Sequence, residues 1–112
     1  MLSRVHQVDV RLLSDRPLPD DDPARDQGVL RIVSEAVHNA LRHARATEIV
    51  VRLGPRSVEI VDNGDGFDPG RPELRSRHLG LTSMEERAAE LGASLTIESA
   101  PGRGSAVRLE LP

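Results

Sequence analysis

The chain has 112 residues, 38% of them hydrophobic, a net charge of −3, no cysteine, and Phe67 as its sole aromatic residue. That length fits one compact domain with an aliphatic core, and an acidic chain without stacking aromatics speaks against a nucleic-acid surface. The lack of cysteine excludes disulfides and thiol chemistry, and no apolar run or leader pattern reads as a membrane span or signal peptide, so the expected setting is cytoplasmic with no direct membrane contact.

Between Gln7 and Leu13, Val8, Val10 and Leu12 alternate with Asp9 and Arg11, the pattern of a half-buried strand. Residues 15–23 read as a Pro- and Asp-rich loop whose acids are solvated and suit the N-terminus of a following helix. That helix is expected from Pro23 or Ala24 to Ala44, with Leu30, Val33, Val37, Ala40, Leu41 and Ala44 as a broad apolar stripe against a sheet. Glu35, Asn39 and His43 recur every four residues along the edge of the stripe, beside Ile32. By periodicity alone this ladder reads first as a solvated flank, with a functional row as the alternative.

Ile49, Val51 and Leu53, then Val58 and Ile60, alternate on either side of Gly54-Pro55-Arg56-Ser57, which predicts an antiparallel hairpin. With a period of two, Asp62 falls on the apolar face of Val58 and Ile60. A carboxylate aimed there needs a donor from the protein, from water or from a ligand. Asn63-Gly64-Asp65-Gly66 follows at once, and its glycines allow a sharp turn and close backbone approach. An inward acceptor beside bare backbone points to a pocket, although the same dipeptides also serve as plain turns.

From Asp68 to His78 the chain reads as a loop of about ten residues, a length found in functional lids and in disordered connections. Gly80 opens a second helix with Leu81, Met84, Ala88 and Leu91 on one face and Gly92 as its stop. Thr82 and Glu85, or Ser83 and Glu86, stand at capping-box spacing. The free amides at this helix start, next to a glycine, offer an anion site. Leu95 and Ile97, then Val107, Leu109 and Leu111, alternate around Pro101-Gly102-Arg103-Gly104 as a closing hairpin. The whole order predicts an α+β fold, a two-layer α/β sandwich with helices on one face of a mixed, mainly antiparallel sheet.

Three separated segments also match one pattern in the right order. Ser34-Glu35-Ala36-Val37-His38-Asn39-Ala40-Leu41-Arg42-His43-Ala44 resembles the N box of the GHKL ATPases, the superfamily of gyrase, chaperone, mismatch-repair and histidine-kinase ATP-binding domains. Asp62-Asn63-Gly64-Asp65-Gly66-Phe67 resembles its G1 box. His78-Leu79-Gly80-Leu81, followed by Met84, Glu86 and Arg87, resembles its G2 region, above all in the nitrate-sensor-like class of histidine kinases. Gly102-Arg103-Gly104-Ser105 and the strand after it resemble the family's C-terminal hairpin, so the likeness covers nearly the whole chain. His78 departs from the pattern, standing where a glycine is often found.

The resemblance implies a Bergerat fold that clamps ATP between the helix layer and a lid, here Asp68 to Leu79. Asp62 would accept a hydrogen bond from the exocyclic amine of adenine, with Ser105 assisting through its hydroxyl and water. Asn39 would give an oxygen to magnesium, and Glu35 would be the catalytic residue that orients or activates the phosphoryl acceptor. His43 and Arg42 would lie near the phosphates. Gly64 and Gly66 would leave room for the nucleotide, and Gly80 with the amides of Leu81 and Thr82 would hold phosphate oxygens beside His78. The implied protein is the ATP-binding catalytic domain of a two-component sensor histidine kinase, residues 1–112 being a fragment of a longer chain. Its opening residues already read as strand, so the γ-phosphoryl would pass to a histidine on a separate dimerisation domain and then to a response regulator. A stand-alone GHKL ATPase and an anti-sigma-type serine kinase share the scaffold as alternatives.

Overall fold

Alternation along the strands decides which side of the sheet can be covered, and the computed structural model, which describes residues 8–14, 23–42, 45–66 and 81–112, follows it. The elements are β1 (Asp9–Ser14), α1 (Pro23–Arg42), β2 (Glu48–Leu53), β3 (Ser57–Asp62), α2 (Leu81–Glu90), β4 (Ser94–Ser99) and β5 (Ser105–Glu110). They form one five-stranded sheet in the order β1-β2-β3-β5-β4. β1 runs parallel to β2 and the other neighbours are antiparallel. The parallel pair requires a crossover, and α1 supplies it.

Ile49 and Val51 of β2, Val58 and Ile60 of β3, and Val107 and Leu109 of β5 are buried on one face. Over them α1 packs on β2 and β3, α2 packs on β4, and the two helices pack on each other. The hairpins form as expected, the first closed by the Gly54 amide donating to the Ser57 carbonyl at 2.8 Å. α2 ends in a Schellman arrangement: Gly92 has φ of 68°, its amide reaches the Ala89 carbonyl at 3.0 Å, and the Ala93 amide reaches Ala88 at 2.9 Å.

Three expectations change. α1 buries Val29, Ile32, Ala36 and Ala40, with Val33 and Val37 partly covered, while Leu30 and Leu41 are exposed. The helix carries more apolar residues than one face can bury, and the small Ala36 and Ala40 are the ones turned onto the sheet. β1 forms, but all six of its residues are exposed rather than half-buried. Val10 and Leu12 pair with Ile49 and Val51, so they share the helix-side face, but α1 lies over β2 and β3 and leaves them uncovered. Finally, Leu81 is already helical with its side chain in the core, which puts Thr82 and Ser83 inside the first turn of α2 instead of at a capping-box N-cap.

At one end of the sheet two turns interlock. Gly66 has φ of 70°, and a Cβ there would lie 2.1 Å from the Ala100 carbonyl oxygen; Gly104 has φ of 72°, and its Cβ would lie 2.3 Å from the carbonyl oxygen of Asp62. The Gly102 amide adds a 2.5 Å hydrogen bond to the Asp65 carbonyl. Gly104→Ala is expected to lower the unfolding free energy by about 3 kcal/mol or more, since backbone atoms cannot move aside. Gly102→Ala also carries a positive φ, of 80°, but its Cβ would meet nothing, so the loss there is about 1–2 kcal/mol. Denaturant midpoints of the two variants check this, and equal midpoints would remove the backbone contact from the account.

Candidate functional site

Asp62 closes β3 on the covered face, as its spacing from Val58 and Ile60 demands. It is 8% exposed and is the buried charged residue among those described. Both carboxylate oxygens are engaged: Oδ1 accepts the Gly64 amide at 2.8 Å, and Oδ2 accepts the Ser105 hydroxyl. Register places that hydroxyl, because Ser105 is the β5 residue opposite Asp62. An ionised carboxylate takes about four hydrogen bonds, so capacity remains for a ligand donor. A cavity of about 380 Å³ lined by Asp62, Ser99, Gly104 and Ser105 also takes in Val61 and Ala106, and so extends across the strand ends toward the uncovered face.

The turn after Asp62 ties the end of β3 to the chain leaving α1. Asn63 Oδ1 accepts the Thr47 and Glu48 amides, each at 2.9 Å, and Nδ2 donates to Thr47 Oγ1 at 3.0 Å. Arg45, with φ of 51°, donates from Nε to Asp65 Oδ2 at 2.9 Å. Sequence reasoning missed both residues as organisers of the site. In the sequence Asn63 stands out as half of a turn dipeptide and as a member of the G1-like segment, and the usable signal for its bonding is an Asx side chain that mimics backbone. For Arg45 no local pattern announced a partner twenty positions away.

Glu35 and Asn39 are half-buried on the flank of α1 that faces α2. Glu35 lines a cavity of about 170 Å³ with Arg31, Ser34, Ser83, Met84 and Arg87. Asn39 follows one turn later, nearer the end of α1 at Arg42. Arg42 is exposed, its Nη1 lying 3.2 Å from His38 Nε2 on the solvent side. Leu81 buries its side chain and Thr82 is exposed, so what Leu81 offers to an anion is its backbone amide at the start of α2. Gly64 has already given its amide to Asp62, and the space beside Gly66 is filled by the Ala100 and Gly104 carbonyls. His43, His78, Gly80 and the expected lid from Asp68 to Leu79 lie outside the described residues.

Among the described residues no three His, Asp or Glu side chains gather to hold a metal alone. The single amide oxygen of Asn39 nonetheless suits magnesium, which takes few protein ligands and completes its shell with phosphates and water.

A sequence model of the family described as histidine kinase-, DNA gyrase B-, and HSP90-like ATPase matches residues 24–112. The chain is 34% identical over 99 residues to the sensor histidine kinase LiaS of Bacillus subtilis (strain 168), covering 81% of this chain and 27% of LiaS. It is 38% identical over 111 residues to the nitrate/nitrite sensor protein NarQ of Escherichia coli (strain K12), covering 93% of this chain and 19% of NarQ. The chain therefore spans less than a third of either relative. Among solved structures it resembles the ATP binding domain of PrrB from Mycobacterium tuberculosis, with a TM-score of 0.70 and 30% identity over 95% of this chain and 80% of that one. It shares the fold of the histidine kinase domain of the Erythrobacter litoralis EL346 blue-light activated histidine kinase, with a TM-score of 0.74 at 24% identity over 95% of this chain and 52% of that one.

The contacts of the turn differ in weight. Asn63→Ala removes three side-chain hydrogen bonds and is expected to cost about 1–3 kcal/mol of stability. Asp65→Ala removes only an exposed ion pair and is expected to cost under about 1 kcal/mol. Urea unfolding of both variants checks the ranking, and a larger loss for Asp65→Ala would reverse the roles assigned here.

Proposed function

The chain belongs to the family of histidine kinase-, DNA gyrase B- and HSP90-like ATPases, and from that premise we propose that it is the ATP-binding catalytic domain of a two-component sensor histidine kinase. It binds ATP with magnesium, and the γ-phosphoryl passes to a histidine of a separate dimerisation domain and from there to a response regulator. Both curated relatives described above are sensor proteins, one of them a sensor histidine kinase by name. The observation that carries the reading is the buried Asp62, oriented by Gly64 and Ser105 with acceptor capacity to spare. No helix among the described residues is long and apolar enough to cross a membrane, and we place the domain in the cytoplasm, where ATP is available.

In this mechanism Asp62 accepts the exocyclic amine of adenine without having to reorganise, because its two oxygens are fixed beforehand. The Ser105 hydroxyl donates to Asp62 and keeps lone pairs for a bridging water. The amides of Leu81 and Thr82 at the start of α2 would take phosphate oxygens, a role that the resemblance extends to Gly80 and His78. The family resemblance would assign His43 and Arg42 to the phosphates. Asn39 would hold magnesium, which when bound neutralises phosphate charge. Glu35, one turn before Asn39, orients the acceptor imidazole or takes its proton as the phosphoryl group arrives.

Calorimetric titration with ATP, with and without magnesium, tests this assignment. Wild type is expected to bind in a magnesium-dependent manner, and Asp62→Ala to lose about a hundredfold in affinity or more, as expected for hydrogen bonds to a charged group. Asn39→Ala should lose the magnesium dependence together with affinity. Glu35→Gln should keep binding within about twofold while slowing transfer to a separately supplied histidine-bearing domain by about 10²–10⁴-fold. A Glu35→Gln variant that fails to bind ATP would move that residue from the transfer step to the binding site.

A further inference from the structure

β1 is an edge of the sheet, and among the described residues no strand lies on its outer side. Its aliphatic side chains are open to solvent, Val10 by 53%, Leu12 by 66% and Leu13 by 49%. The strand runs six residues in unbroken register with β2 and carries neither proline nor lysine. Natural edges are guarded by such residues, by bulges or by a covering element, and one without them is a template for a further strand.

The pairing with β2 settles which backbone groups are left over. The Asp9 amide donates to the Thr47 carbonyl at 2.9 Å, so Asp9, Arg11 and Leu13 direct their peptide groups at β2. Alternation along the strand then turns those of Val8, Val10 and Leu12 outward. The same residues carry the apolar side chains of the helix-side face, where Val10 and Leu12 stand beside Ile49 and Val51 and Val8 packs at the margin of the core. Asp9 and Arg11 point to the opposite face and, among the described residues, make no ion pair.

The segment Val8-Asp9-Val10-Arg11-Leu12 is complementary to its own reverse. With Val10 opposite the second copy's Val10 on a two-fold axis, each Asp9 meets an Arg11 and each Val8 meets a Leu12. The aliphatic pairs are then the hydrogen-bonded ones, giving about six backbone bonds, and the Asp9–Arg11 pairs are those in which side chains come closest. A slide of two residues either way sets Asp9 against Asp9 or Arg11 against Arg11, and like charges directly opposite are destabilising. We infer that two copies of this chain associate antiparallel through β1 in that register, joining two five-stranded sheets into one. The contact is small, so the association is weak, with a Kd on the order of 10–100 μM. It does not rest on the kinase reading, since Asp9 and Arg11 line neither the cavity at Asp62 nor that at Glu35.

Sedimentation velocity over a concentration series tests the proposal. Wild type is expected to pass from monomer to dimer, and Asp9→Arg and Arg11→Asp should each weaken the dimer at least about tenfold by placing like charges opposite. An equal mixture of those two variants restores both opposite-charge pairs and should dimerise within about threefold of wild type. The register is read separately by crosslinking, because the chain has no cysteine of its own. Val10→Cys sits on the two-fold axis at a separation a disulfide can span, about 5.5 Å between Cα atoms, and should form a crosslinked dimer under mild oxidation. Leu12→Cys, exposed on the same face, lies opposite Val8 and should not. A wild type that stays monomeric to about 0.5 mM, an association that both single variants keep, a mixture that stays monomeric, or equal crosslinking at the two cysteines overturns the proposal. ATP titrations of the same variants report on the kinase reading independently: unchanged ATP affinity in a monomeric variant upholds both readings, and a wild type that dimerises but binds no ATP upholds the pairing alone.

Discussion

A carboxylate withdrawn from water must have its oxygens occupied, and meeting that demand at Asp62 fixes much of this end of the molecule. One oxygen takes the Gly64 amide, which dictates how the chain turns as it leaves β3; the other takes the Ser105 hydroxyl, which requires β5 to lie beside β3 in one register. A shift of one residue would turn the hydroxyl to the opposite face. The turn that feeds Ser105 then has to pass directly over the Asp62 carbonyl, and the close approach of Gly104 is the result. A single buried charge thus couples strand pairing, turn shape and the placement of a polar side chain ready for a ligand.

Much of this was legible in the sequence, because the strands bury one face and a period of two is unambiguous there. Asp62 was placed on the covered face by counting from Val58 and Ile60, and the four-residue spacing of Glu35 and Asn39 put them on the flank beside Ile32, where they are found half-buried. The rotation of α1 was not legible. Its apolar residues span both Val29 and Leu30, both Ala40 and Leu41, and packing on the sheet, which a pattern along the chain does not register, buries Val29 and Ala40 and leaves Leu30 and Leu41 exposed. The exposure of β1 was hidden for a related reason, since alternation announces a strand but not whether a helix reaches far enough to cover it. Asn63 and Arg45 act across the gap between α1 and β3, and a pattern read along the chain does not register such pairs.

The two halves of the site rest on different kinds of support. Around Asp62 the positions are set by backbone geometry and short hydrogen bonds. Along α1 and α2 they are set by side chains of a helix pair, with Glu35, Arg31 and Arg87 sharing one surface. The first kind of support suits a rigid receptor for a ligand of fixed shape. The second leaves long side chains on a helix pair able to change rotamer while the sheet stays still.

The locked backbone also limits how this end of the domain can change over evolutionary time. Gly66 and Gly104 have no room for a side chain, and their φ values disfavour any residue but glycine. Variation in the chemistry presented at the strand ends is left to side chains such as those at 62, 99 and 105, and the first and last of these are bonded to each other. A lineage that altered positions 62 and 105 would have to exchange both in concert, or pass through an intermediate with an unpaired group in the interior. The wall of the candidate site is therefore a barrier to gradual drift, and diversification is free to proceed on the helices instead.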